Sequence, residues 1–191
     1  MATAAGADDA RPYHHGDLPR ALLEAAVEAI EEVGPAALSL RDLARRAGVS
    51  HAAPAHHFGD KAGLLTALAV EGYDRLADEL GGAGDDLLEV GVAYVRFAVD
   101  HRAHFEVMFR PELYRPDDPE LIQAREQARA LLYPPAAEAA NTPDSGGDIR
   151  AGVAAWSLVH GLATLWLNHN LPPQLGDDPE QITRDVAHYL F

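Results

Sequence analysis

Four of the chain's basic side chains, Arg41, Arg45, Arg46 and Lys61, fall within residues 38–61, and Lys61 is the only lysine in the protein. Guanidinium and ammonium groups at this density suit phosphate contact. The same stretch holds His51, His56 and His57, whose ring nitrogens can donate to guanine acceptors. Ala52 and Ala53 have methyls that can touch thymine. Ser39 and Ser50 stand where helices begin, and a helix start points free N–H groups at anions. The chemistry available is duplex recognition, phosphate first and base edges second. The formal charge of the whole chain is −15. The stretch itself has four cations against two acids, Asp42 and Asp60, a net of +2, which leaves −17 for the remainder. Distribution decides here, not the sum. A solvated helix face is the bland alternative for such a basic island; the capped helices that carry it favour the DNA reading.

Those side chains need two short helices and a tight turn. Ser39 reads as an N-cap with Asp42 completing a capping box. Leu40, Leu43, Ala44 and Ala47 recur at helical spacing, and Gly48 ends the helix. Val49 plugs the joint. Ser50 reads as the next N-cap, with a second helix over 51–58 ending at Gly59, and Asp60 caps the helix that follows. Helix, glycine turn and second helix make a helix-turn-helix, whose second helix enters the major groove.

The order Leu-Ser-Leu-Arg-Asp-Leu-Ala, Ala-Gly-Val-Ser, then His-His-Phe-x-x-Lys resembles the DNA-binding domain of TetR-type transcriptional regulators. The resemblance implies that Lys61 contacts phosphate and that the helix after Asp60 links the reader to the rest. Pro54 and Ala55 stand where that family usually has Leu and Tyr, which removes one phosphate-contacting hydroxyl. Few long side chains remain to read bases, so part of the recognition is expected to rest on DNA shape. Trp156-Ser-Leu-Val-His160-Gly161 resembles the Trp…His-Gly signature of one C-terminal domain type, WHG, found on these regulators.

The rest of the chain reads as all-α, about nine helices. Residues 1–15 read as a flexible arm, 16–80 as the DNA-binding domain with its connecting helix, and 85–191 as a ligand-binding and dimerisation domain. Tyr13 and His14 are candidates for phosphate contact beside the groove, or for simple packing. Leu22, Leu23, Ala26, Val27 and Ile30 stripe the first helix, which stops near Gly34-Pro35. Leu64, Leu65, Leu68, Ala69, Gly72, Tyr73 and Leu76 share a face of the connecting helix, and Gly81–Gly84 break it. Helices then start at Asp85 or Asp86, at Asp118-Pro119 and at Asp148. Pro134-Pro135 is expected to break or kink one near Tyr133, and 141–147 reads as a loop. The last helix, 178–191, opens with Asp178-Pro179 and runs to the C-terminus.

Phe97, His101, Phe105, Met108, Phe109, Trp156 and His160 are aromatic, soft or weakly polar, as the lining of a small-molecule site is. Plain core packing accounts for such residues equally well. The helices over 148–169 and 178–191 carry more apolar surface than one subdomain covers, which predicts a four-helix homodimer interface. A dimer also fits a palindromic double-stranded operator.

Other chemistry finds little support. The histidine pairs 14–15, 56–57 and 101…104 lack an evident third ligand for a metal. There is no phosphate-cradling glycine loop, no nucleophile elbow and no cysteine. No catalytic residue, metal or cofactor is implied, only an unidentified effector. No apolar run approaches the roughly 20 residues of a membrane span, and the N-terminal residues lack a secretory pattern, so the cytoplasm is the expected compartment. Ligand-relieved repression is the function expected; a ligand-responsive activator and a non-catalytic small-molecule-binding protein stay open.

Overall fold

The computed structural model describes residues 18–139 and 149–189, with side chains throughout except at 134–139. Among the described residues it is all helical: α1 (Leu18–Ala37), α2 (Leu40–Arg46), α3 (Ala53–Phe58), α4 (Lys61–Ala83), α5 (Leu87–Asp100), α6 (Arg102–Met108), α7 (Pro119–Ala139), α8 (Ile149–Leu167) and α9 (Pro179–His188). Two single-turn 3-10 helices, Pro111–Leu113 and Pro173–Leu175, lie in the connections. The expected arm with Tyr13 and His14, the loop over 141–147, the Asp148 cap, and Leu190 and Phe191 lie outside the described residues.

Several starts follow from their caps. The Asp60 carboxylate accepts the Gly63 N–H at 2.8 Å. Asp86 accepts from Leu88 and Glu89, Asp118 from Glu120 and Leu121, and Asp178 from Glu180 and Gln181. Each carboxylate satisfies N–H groups that the helix leaves unpaired.

Three local expectations are corrected. Ser39 holds the N-cap position of α2 but makes no side-chain cap bond. Asp42 takes Arg45 and Arg46 instead, at 2.6 and 2.8 Å, because charge-assisted bonds to two guanidiniums outcompete a single backbone N–H. The second motif helix begins at Ala53, not His51, with Ala52 and not Ser50 at the cap; the Ser50 carbonyl accepts the Ala53 N–H at 3.0 Å in the preceding turn. Pro54 sets that phase, since a residue without an N–H is tolerated only in the first helical turn. Finally, α7 is not broken at Pro134-Pro135 but continues to Ala139. Proline's fixed φ is itself helical, so the cost is a lost hydrogen bond and crowding, not an obligatory stop.

One core runs from Leu22 of α1 through Leu64, Leu65 and Leu68 of α4 and Phe97 of α5 to Ile182 of α9. The connecting helix α4 is its axis: it packs on α5, α6 and most extensively on α7. At Gly72 a Cβ would stand 2.6 Å from the Met108 sulfur and 3.1 Å from the His104 Cβ, so the absent side chain is what lets α6 lie this close. α6 also packs on α1, so the helix-turn-helix unit meets the C-terminal helices both through α4 and directly. Charged struts brace the far side, Arg96 to Glu79 at 2.8 Å and Arg184 to Glu89.

Candidate functional site

The helix-turn-helix unit presents a polar face. Ser39, Arg41, Arg45, Ser50, His51, Ala52, His56 and His57 are exposed, Ala53 is half-buried, and Pro54 turns into the protein. Leu43 and Ala44, fully buried, fix α2 from behind. Gly48, at φ +66, makes the turn between the helices. The His56 and His57 rings meet edge to face with centroids 5.4 Å apart.

The four cations do not stand alike. Arg41 is exposed and makes no ion pair among the described residues. Arg45 leans on Asp42 yet keeps 71 % of its side chain exposed. Arg46 is a clamp: it bonds Glu32 at the end of α1 at 2.6 Å as well as Asp42, and these bonds hold both carboxyls below the usual carboxylate range. Lys61 donates to the Ala36 carbonyl at 2.6 Å and ties α4 to the C-terminal end of α1; burial lowers its affinity for the proton. Local spacing shows which residues share a face, not which reach across the fold, so these two roles were not legible in it.

A second site lies between α4, α5, α6, α7 and α8. Phe105 and Phe109 sit with ring centroids 5.1 Å apart, Phe109 and His160 4.6 Å, and Trp156 and His160 5.7 Å. Tyr94 organises them. Its hydroxyl accepts the Trp156 indole N–H at 3.0 Å and lies 2.9 Å from His160 Nδ1. The imidazole tautomer sets which of the two, the hydroxyl or Nδ1, donates in that contact. Burial, which lowers the His160 pKa and raises that of Tyr94, keeps both neutral.

Beside this cluster is a cavity of about 210 Å³ whose walls include Met108, Phe109, Trp156, Tyr73, Tyr114 and Arg125. Of the seven residues anticipated for a pocket, Met108, Phe109 and Trp156 line it, while Phe105 and His160 stand in the adjoining aromatic cluster with centroids 5.2 Å apart. Phe97 and His101 stack on each other at the α5–α6 junction, with centroids 5.3 Å apart, and do not line the cavity. Tyr94 was missed, although a lone hydroxyl in the apolar run of α5 has to find a partner when buried. Tyr94→Phe is expected to strand the Trp156 N–H and His160 Nδ1 and to cost about 2 kcal/mol. Urea unfolding at fixed protein concentration, with an unchanged slope, measures it; no shift in midpoint would remove Tyr94 from this role.

Among the described residues no group of three His, Asp or Glu is arranged to hold a metal ion. No helix among them is long and apolar enough to cross a membrane.

The described residues, all helical, with an exposed helix-turn-helix at one end and an aromatic-walled cavity among the remaining helices, have the design of a DNA-binding transcriptional regulator. Comparison with known proteins gives the same class. Residues 87–189 match the family model described as "Tetracyclin repressor-like, C-terminal domain", and residues 22–68 match that of "Bacterial regulatory proteins, tetR family". The chain belongs to the TetR family of transcriptional regulators, which are non-catalytic. The Trp156…His160-Gly161 string falls within the C-terminal match. A structure of a protein of unknown function from Rhodococcus sp. RHA1 is similar over 94 % of this chain and 96 % of its own, at 33 % identity and a TM-score of 0.75. The fold is also that of NalD from Pseudomonas aeruginosa, the secondary repressor of the MexAB-OprM multidrug efflux pump, at 21 % identity over 92 % of this chain and 94 % of that one, TM-score 0.59. The HTH-type transcriptional regulator BetI of Escherichia coli (strain K12 / DH10B) is 44 % identical over 59 residues, which span 31 % of this chain and 30 % of BetI.

Proposed function

We propose that the chain is a homodimeric repressor that binds a palindromic operator in the cytoplasm and is released by a small-molecule effector. In this reading residues 16–80 form the reader with its connecting helix, and residues 85–191 bind the effector and pair with the second copy. The observation that carries it is the pairing of an unobstructed α2–α3 face with a cavity whose wall is mechanically joined to it. Arg41, Arg45, Ser39, Lys61 and Tyr13 serve as phosphate contacts, and Ser50, His51, Ala52, Ala53, His56 and His57 read the groove. The dimer reading is supported by α8, where Ile149, Val153 and Leu165 are 65 %, 43 % and 45 % exposed, apolar side chains that a second copy would take out of water.

The joint is specific. Tyr114 lines the cavity, and the next residue, Arg115, reaches 3.0 Å to Asp60, the cap of α4 directly behind α3. The Arg115 backbone N–H also donates to Thr66 of α4 at 3.0 Å. An effector that prefers the arrangement in which this segment has shifted lowers operator affinity by its differential affinity for the two arrangements. Arg115→Ala is expected to leave global stability within about 1 kcal/mol, as for other exposed pairs, yet to speed amide exchange at Gly63 and Leu64. Unchanged exchange there would remove Arg115 from the route.

A mobility-shift titration on DNA upstream of the chain's own gene tests the function. A shifted band at dimer stoichiometry, competed by the same duplex and not by an unrelated one, is expected. Equal competition by unrelated duplex would overturn sequence-specific regulation.

A further inference from the structure

The cavity between α4 and α7 has a lopsided charge. Its polar wall holds Arg125 and Arg129, four residues apart on one face of α7, and no carboxylate lines it. This is unusual in a chain with 30 acidic and 15 basic residues, where most described arginines have an acid partner. Arg129 has one, Glu126 at 2.8 Å. Arg125 has no ion pair among the described residues, and its Nε is buried without a hydrogen-bond partner. A guanidinium that borders a cavity without an acid partner has an anion as its natural complement.

Two tyrosine hydroxyls at this wall are already engaged, while that of Tyr133, which also lines the cavity, has no hydrogen bond among the described residues. The Tyr73 and Tyr114 hydroxyls both donate to the Met108 carbonyl, at 3.2 and 2.8 Å. The opposite wall is apolar: Leu76, Met108, Phe109 and Trp156. We infer that this cavity takes a small organic acid, its carboxylate on the Arg125 guanidinium and its apolar body against Phe109 and Trp156. The inference rests on the reading of the cavity as the effector site. An inorganic anion would leave the apolar wall uncovered; a neutral ring would leave Arg125 unpaired. Size limits the body. A cavity of about 150 Å³ holds benzene, so 210 Å³ admits a single ring or a short chain with its carboxylate.

Calorimetric titration of the full chain with benzoate and with benzamide, which share shape and differ in charge, tests this. Benzoate is expected to bind at millimolar concentration or better, and benzamide about tenfold more weakly or less, since a charge-assisted bond is lost. Arg125→Gln should bring benzoate down to the level of benzamide, and Arg125→Lys should restore part of the difference. Equal binding of the two probes, benzoate affinity unchanged in Arg125→Gln, or no benzoate binding at millimolar concentration would each overturn the inference. The first comparison needs no variant, so it stands even if Arg125→Gln fails to fold. Operator release is read separately. Benzoate bound with the operator still held would fail the effector reading and leave the acid site intact. Benzamide binding as well as benzoate and releasing the operator would do the reverse.

Discussion

Raising the salt from about 50 mM to about 200 mM is expected to weaken operator binding by about a thousandfold, because some six phosphate contacts are lost to counterion competition. The number comes from the reader face. Arg41 stands free, Arg45 keeps most of its side chain in solvent, and Lys61 is the third cation beside the α3–α4 junction. Three contacts in each of two copies lie at the low end of what a dimeric reader makes. Arg46 is not counted, since Glu32 and Asp42 hold it. The acidic remainder opposes binding, but at about 0.1 M salt charges more than about 10 Å from a phosphate are largely screened. Contacting cations therefore set the slope, and the net charge of −15 mainly lowers the affinity. Arg41→Ala is the clean probe. It should reduce the log–log salt slope by about one per copy, across specific and unrelated duplexes alike. Lys61→Ala is less clean, because the ammonium also holds the Ala36 carbonyl. A salt slope unaffected by Arg41→Ala would mean that α2 does not lie along the backbone.

What the sequence made legible was mostly local. The caps at Asp60, Asp86, Asp118 and Asp178, the apolar face of α4 and the glycine turn at Gly48 follow from spacing within a few residues. What was missed is held by contacts across the fold. Arg115 reaches Asp60 over 55 residues, and Tyr94 meets Trp156 and His160 over 62 and 66. Helical periodicity tells which residues share a face, but not which face of another helix is brought against it. The Asp42 capping box failed for a related reason. Two guanidiniums one turn further along offered that carboxylate stronger partners than the backbone did. Phe97 and His101 were drawn into the pocket by composition alone, and composition cannot separate a cavity wall from the core behind it. The repeat of arginine at 125 and 129 was visible in the sequence, but its meaning depends on the cavity that α7 borders.

Acid should loosen the joint between α4 and α6 before it titrates the surface ion pairs. His104 is 4 % exposed, and neither ring nitrogen has a hydrogen-bond partner among the described residues. Burial pushes its pKa down to about 4; the carboxylate of Glu71, 3.7 Å away, pulls the other way, while Arg75 and His101 add to the depression. Glu71 is a weak counter-ion because it also binds Arg75 at 2.5 Å. The sign follows from proton binding. Between the ordinary histidine value near 6.5 and the folded value near 4 the unfolded chain binds more protons than the folded one. Stability is therefore full above about pH 6.5 and falls as the pH drops toward 4, by about 3 kcal/mol in all at 1.36 kcal/mol per unit. Most of this fall precedes protonation of Asp42, Asp60 and Glu89, whose ion pairs hold their pKa values below the carboxylate range. His104→Leu removes the titrating group while keeping an apolar side chain against Gly72. Urea midpoints for the variant should stay nearly flat between pH 6.5 and 5, where the parent chain loses about 2 kcal/mol. Parallel curves for parent and variant would show that His104 is not what acid reaches first. The consequence for regulation is direct, since His104 and Met108 pack on α4 at the same glycine and Met108 forms the cavity wall. Charging the imidazole would press α6 away from α4 at the place where effector binding is expected to act.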